Sequence, residues 1–211
     1  MDKNLIFIGG GGHSKSLLEV AESAGYSVLG ILDRPENVGK RVRGYQIVGT
    51  DDDIPLYVGK AEFLITVGFI KNPSLRIELF KKVLEAGGKF AIIVAPTAYV
   101  SKYATLGVGT VIMHQAFVNA GAVIGDNVII NTLANIEHDV RIGNQCHIST
   151  GAMINGDCIV GDNCFIGSQS VLANSISICS DVVVGAGSLV RKSIKQSGIY
   201  SGNPAILKIK K

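Results

Sequence analysis

From Val100 to Val190 every sixth residue is aliphatic: Val100, Leu106, Ile112, Val118, Ile124, Ile130, Ile136, Ile142, Ile148, Ile154, Val160, Ile166, Leu172, Ile178, Val184 and Val190. A period of six matches neither the 3.6 of an α-helix nor the alternation of a two-faced strand, so it belongs to a coil whose sides recur at that spacing. The residue four places on is small or aliphatic throughout, from Ala104 to Ile194, and glycine often follows the aliphatic residue, as at Gly107, Gly125, Gly143, Gly161, Gly167 and Gly185. Two inward positions per hexad separated by a turn describe one side of a narrow prism, a parallel β-helix. A sandwich would require strands of variable length with turn signals roughly every 8–12 residues.

Residues 1–95 obey another rule. An apolar run Asn4 to Ile8 ends in Gly9 to Gly12, a helical spacing of Leu17, Leu18 and Ala21 covers 14–24, and a second run from Ser27 to Leu32 ends at Asp33. This is a β-loop-α-β unit. A strand over 63–67, a helix from Ser74 to Ala86 closed by Gly87-Gly88, and a strand over 90–94 follow, with Pro96 at the junction. The chain thus reads as an α/β half-Rossmann domain, 1–95, followed by an all-β parallel β-helix, 96–211.

The glycine run lets backbone N–H groups approach an anion at the positive end of the following helix, and Asp33 is suited to accept hydrogen bonds from a ribose or a base. Ser14 stands where a dinucleotide motif has its third glycine, and 95 residues hold half a dinucleotide fold, so one nucleotide fits better than two. A tight turn beside a solvated acid is the alternative.

The 211 residues are 47% hydrophobic and 18% charged, a globular composition, and the formal charge of +3 with scattered basic residues argues against nucleic acid. Only the tail, Lys208, Lys210 and Lys211, clusters basic residues. No run of 18 apolar residues and no signal peptide is read, so a cytoplasmic location without a membrane span is expected. Of the four cysteines, Cys146, Cys158 and Cys164 fall on the small inward position and Cys179 in a turn; they read as core residues, and no metal is expected.

A filled prism leaves chemistry to its outside edges, often against another copy. His114 and His138 fall at prism corners, and His147 points outward from a face. His138 lies in Asn135-Ile136-Glu137-His138-Asp139, between two carboxylates, either of which would fix its tautomer and raise its basicity for work as a general base. A solvated polar corner is the plain alternative. If three hexads make a coil, His114 and His138 lie on different edges and cannot form one pair. His147 would reach the groove of His138 only through the shape of a turn or an adjoining subunit, and Asn131 is a further polar contact at the corner before.

The hexads, together with IFIGGGGHSKS, INTLANIEHDVRIG, HISTGAMINGD and the terminal YSGNPA, resemble the bacterial left-handed β-helix sugar acyltransferases. The resemblance is to the group that joins a small nucleotide-sugar-binding domain to the β-helix, which includes bacillosamine-pathway and perosamine N-acetyltransferases and sialic-acid O-acetyltransferases. It implies left-handedness, a homotrimer, and acetyl-CoA between adjacent β-helices, with the sugar reaching in from the N-terminal domain. It further implies His138 as the base, oriented by Glu137 or Asp139. Asn131 and His147 would line the acetyl-CoA channel, Gly156 would offer a backbone N–H near the thioester oxygen, and Gly202 and Pro204 would border the cofactor. Gly10, Gly12, His13 and Asp33 would hold the nucleotide. The expected reaction is direct acetyl transfer to the amine of a UDP-, GDP- or dTDP-linked 4-amino sugar of a bacterial surface glycan, because no serine or cysteine stands beside His138 as a nucleophile. O-acetylation of sialic acid is the first rival: Asp33-Arg34 lacks the second acid common in uridine-nucleotide binders, and Ser14-Lys15-Ser16 with Asn72-Pro73-Ser74-Leu75-Arg76 is more like the sialic-acid members. A non-catalytic sugar-nucleotide-binding or scaffold β-helix is the rival from another class.

Overall fold

A computed structural model describes residues 3–210; Lys211 of the basic tail lies outside the described residues. The chain divides into two compact units, residues 1–68 with 74–95, and residues 69–73 with 96–211.

In the first unit five strands, β1 (Asn4–Ile8), β2 (Ser27–Leu32), β3 (Arg41–Val42), β4 (Tyr45–Gly49) and β5 (Glu62–Ile65), form a sheet in the order β3-β4-β2-β1-β5. All pairings are parallel except β3 with β4. Strand β1 buries Leu5, Ile6, Phe7 and Ile8 on both of its faces, as a central parallel strand must. The helices are α1 (Gly12–Ser23) and α2 (Ser74–Glu85). Helix α1 thus starts two residues earlier than its apolar spacing indicates, because Gly11 already serves as N-cap. The strand expected over 90–94 shrinks to a bridge between Phe63 and Phe90 and a short β6 (Ile93–Val94). The β3–β4 hairpin, which alternation did not reveal, turns on Arg43 and Gly44, both left-handed (φ 50° and 91°).

In the second unit the hexads become two-residue strands whose second residue faces inward, as in Asn135–Ile136, Arg141–Ile142 and His147–Ile148. Each pairs in parallel with the strand three hexads away: Phe117 with Asn135, Val123 with Arg141, Ile129 with His147. Three hexads therefore make one coil, and three sheets form its sides. We name them first (through Asn135), second (through Arg141) and third (through His147). Ile136, Ile148 and Ile154 are fully buried in the interior stack, and burial of such a side chain stabilises by roughly 1.5–3 kcal/mol. The three cysteines expected inside are fully buried there, and burial pushes the Cys146 thiol well above its ordinary pKa.

Left-handed residues make the corners: Asn127, Asp139, Gln145, Asp157, Asn163 and Ser175 all have φ between 52° and 61°. Asn and Asp tolerate this region because their short polar groups bond locally. At the corner after the second side, side chains cap backbone N–H groups one coil earlier: Asp126 Oδ1 accepts from Val108 N (2.9 Å), Asn144 Oδ1 from Asp126 N (2.8 Å) and Asp162 Oδ1 from Asn144 N (2.7 Å). The ladder satisfies donors that the turns leave outside the strand pairing.

Candidate active site

The first unit gathers its candidate residues at the carboxyl ends of β1, β2 and β5, where open α/β sheets bind ligands. A cavity of about 430 Å³ is lined there by the glycine loop, His13, Asp33, Arg34, Asn37 and Thr66, among others. The four glycines differ in what surrounds them. Gly9 is left-handed (φ 111°), and a Cβ on it would lie 2.5 Å from Val67 Cγ2. At Gly10 a Cβ would lie 2.6 Å from Asp33 Oδ2, the oxygen that accepts the Gly10 N–H at 2.7 Å. Gly11 and Gly12 face open space, with no atom within 4 Å of a built Cβ. Packing thus requires glycine at two of the four positions, and at the other two a side chain would meet no neighbour. Gly11 caps α1 without a side-chain hydrogen bond. Ser14, in the place of the third glycine, is buried and donates its Oγ–H to Gly11 O at 2.7 Å.

Asp33 accepts Gly10 N on one oxygen and Arg34 N on the other, each at 2.7 Å, so its carboxylate is fixed by backbone and presents its remaining lone pairs to the cavity. Arg76, noticed in the sequence only as part of a motif, is 1% exposed. Its Nη1 donates to Ile65 O (3.0 Å) and Val67 O (2.6 Å), tying α2 to the end of β5, and burial lowers its pKa to about 9. Nothing in the local periodicity marks a buried arginine; its position in the first turn after Asn72-Pro73 was the available signal.

In the second unit the candidates lie on two edges. His138 occupies the corner between the first and second sides, and Asp139, not Glu137, is its partner: Nδ1 lies 3.0 Å from Asp139 Oδ2. A carboxylate only accepts, so Nδ1 carries the hydrogen and Nε2 holds the lone pair. This contact is the main reason the His138 pKa stands above the ordinary 6.5. Glu137 turns away to accept from Asn119 Nδ2 (2.8 Å) and Asn135 Nδ2 (3.0 Å), and these two amides, Asn135 first, hold its carboxyl below the usual range. One coil on from His138 lies Gly156, where a Cβ would stand 2.6 Å from His138 Nε2. Glycine keeps the reactive nitrogen uncovered on that side.

Asn131 sits at the other end of the first side, at the corner it shares with the third. His147 does point outward from the third side but is not exposed: segment 69–73 covers it, leaving 8% of its surface accessible. Its Nδ1 lies 3.0 Å from Phe69 O and its Nε2 3.1 Å from Asn131 Nδ2, with the Phe69 and Phe165 rings edge-on. The carbonyl can only accept and Asn131 Oδ1 is taken by Thr132 N (2.8 Å), so His147 is the neutral Nδ1–H form, accepting from the asparagine amide. His114 lies at this corner too, its Nδ1 2.8 Å from Thr97 Oγ1, and so on a different edge from His138 as expected. Gly202 and Pro204 border the last coil: Leu189 N donates to Gly202 O (3.0 Å) and Ala205 N to Leu189 O (2.8 Å). Pro204 and Ala205 line a cleft of about 410 Å³ that also holds Arg191, Lys192 and Lys195. Among the described residues no helix is long and apolar enough to cross a membrane.

A filled prism with a histidine–aspartate pair at one corner, accompanied by a glycine-loop crevice on an α/β sheet, defines a class of two-part transferases. The sequence matches the PglD N-terminal domain over residues 4–83 and the bacterial transferase hexapeptide (six repeats) over 121–156 and 157–192. No curated protein sequence matches the chain. Among solved structures, the acetyltransferase domain of PglB from Neisseria gonorrhoeae, in complex with acetyl coenzyme A, superposes with a TM-score of 0.90 at 29% identity, covering 99% of this chain and 100% of that one. PerB from Caulobacter crescentus, in complex with CoA and GDP-perosamine, gives 0.90 at 31% identity over 97% of each chain. A histidine-to-asparagine variant of perosamine N-acetyltransferase from the same organism, with the same two ligands, gives 0.91 at 30% over 97% of this chain and 96% of that one. The chain belongs to the left-handed β-helix, hexapeptide-repeat sugar acetyltransferases that carry a PglD-type N-terminal domain.

Proposed function

We propose that the protein transfers acetyl from acetyl-CoA to the amine of a nucleotide-activated amino sugar, with His138 as the base. The observation that carries this reading is the His138 tautomer: Asp139 fixes the hydrogen on Nδ1, and Gly156 leaves Nε2 open to take a proton. In the reaction the amine attacks the thioester carbonyl, the C–N bond forms as Nε2 accepts the amine proton, and the C–S bond breaks. The imidazolium then returns that proton to the leaving thiolate, giving free CoA. The relatives solved with GDP-perosamine and CoA, and with acetyl coenzyme A, support this substrate pair.

The α/β unit holds the nucleotide: Gly11 and Gly12 admit a phosphate to the free end of α1, and Asp33 and His13 flank it. The basic cleft beside Pro204 suits the phosphates of CoA. The acetyl-CoA groove forms between two copies of a trimer, in which Asn131, presented at one edge, complements His138 at the other. The outward residues of the first side support this assembly: Tyr99, Phe117, Met153, Val171 and Leu189 are apolar, interrupted only by Asn135 between Phe117 and Met153, and Tyr99 and Phe117 stack at 5.0 Å. Threefold closure buries that side equally in every copy. His147, already buried and doubly bonded, acts by fixing the Asn131 amide. The test is CoA release with UDP-, GDP- and dTDP-linked 4-amino sugars against free sialic acid: release with sialic acid alone would replace N- by O-acetylation, and release with none would remove the transferase reading.

A further inference from the structure

Asp157 is a residue that the mechanism above does not use. It stands one coil after Asp139 at the same corner, and its backbone N–H donates to His138 O at 3.1 Å. A ring nitrogen of His138 and a carboxylate oxygen from each of Asp139 and Asp157 lie within 4.8 Å of one another, and all three side chains are exposed. The corner needs a left-handed residue, and the members of the column on either side of the Asp139–Asp157 pair, Gly121 (φ 75°) and Ser175 (φ 58°), meet that need without charge. Glycine, asparagine or serine would serve the turn at 157. An aspartate instead sets a second carboxylate beside Asp139, a like-charge contact that costs stability unless a positive charge comes to lie between them. His138, on protonation, is that charge.

We propose that Asp157 is a positioning residue for acyl transfer: with Asp139 it brackets His138 and stabilises the imidazolium formed while the amine proton rests on Nε2. The inference rests on the reading of His138 as base. Three acids face the imidazole: Asp139, in direct contact; Asp157, from the next coil; and Glu137, whose carboxylate is engaged by Asn119 and Asn135. Asp157 also raises the His138 pKa, after the larger effect of Asp139. Because negative neighbours favour the charged imidazole, removing one lowers the pKa, and the acid limb of kcat/KM moves to lower pH.

The test uses Asp157→Asn and Asp157→Gly, both compatible with a left-handed corner, in the full chain. Two quantities are followed: the His138 ring-proton titration by NMR without ligands, and the pH profile of CoA release. Both variants are expected to lower the His138 pKa by about half a pH unit, to shift the acid limb equally, and to reduce plateau kcat several-fold with KM for the sugar nucleotide unchanged. An unshifted titration overturns the proposal even if activity falls, and so does a loss confined to KM. The titration requires no acceptor substrate, so it stands apart from the base reading, which fails separately if His138→Ala still releases CoA at the normal rate.

Discussion

The two units solve the problem of making a site in opposite ways. The α/β unit gathers loop, helix end and carboxylate around one concavity at the ends of three strands, so each candidate group for a nucleotide converges within one chain. The β-helix fills its interior with aliphatic side chains and leaves its polar residues at separate corners, His138 on one edge and Asn131 on another. A sheet with helices on its faces makes a hollow between its strand ends, whereas the coils of the prism are filled and its one cleft described above lies beyond the last of them. The same contrast holds for stability. The β-helix spreads its cohesion over equivalent coils, whereas the α/β unit gathers it in one core that includes Ile6, Leu32, Phe63 and Leu79 and adds contacts that occur once, such as Arg76 with two carbonyls.

The sharpest attack on this division is His138→Ala. It should lower turnover by roughly 100-fold or more with little change in Tm, since an exposed corner contributes little packing. A folded variant that releases CoA normally would take the chemistry off the β-helix edge. Next is Phe117→Glu on the apolar first side, which should dissociate the assembly and cut activity at nanomolar enzyme by tenfold or more, while the isolated chain keeps its circular dichroism. A fully active monomer in sedimentation would show that the prism needs no neighbour. Arg76→Met should destabilise by about 1–3 kcal/mol by stranding Ile65 O and Val67 O, with unfolding by urea as the measure. Gly11→Val should raise KM for the sugar nucleotide several-fold, with acetyl-CoA affinity by calorimetry unchanged; loss of acetyl-CoA binding alone would reverse the assignment of the two units. The smallest effect is in pH: activity needs the neutral imidazole, so kcat/KM should rise with pH through a value above 6.5, and Asp139→Asn should move that rise downward.

Legibility followed the same split. In the β-helix each structural relation is a fixed step along the chain, so the inward stack could be read directly, and the separation of His114 from His138 followed once three hexads were taken to make a coil. What stayed open there depended on neighbours across coils or outside the repeat. Glu137 and Asp139 are equivalent in sequence, but Asn119 and Asn135 take the first and leave the second to His138. His147 points out as its hexad position demands, yet Phe69, far away in the chain, covers it. In the α/β unit the strands, the glycine loop and Asp33 were legible as a motif. The constraint on Gly9 and Gly10 lies in Val67 and Asp33 and needed the fold. Arg76 belonged to an amphipathic helix whose spacing has no sign for a buried cation.

The eighteen-residue register carries a consequence for how such a chain can change in length. Removing six residues upstream of His138 would leave every later aliphatic residue facing inward, and the stack would close as before. The imidazole, however, would have rotated by a third of a revolution relative to the coils before it, away from the side that carries Tyr99 and Phe117. Insertions and deletions here are thus quantised twice over: steps of six preserve the fold, and only steps of eighteen preserve the address of the histidine. Relatives of different β-helix length should accordingly differ by whole coils ahead of this residue, with single-hexad changes confined to the stretch behind the last corner of the site.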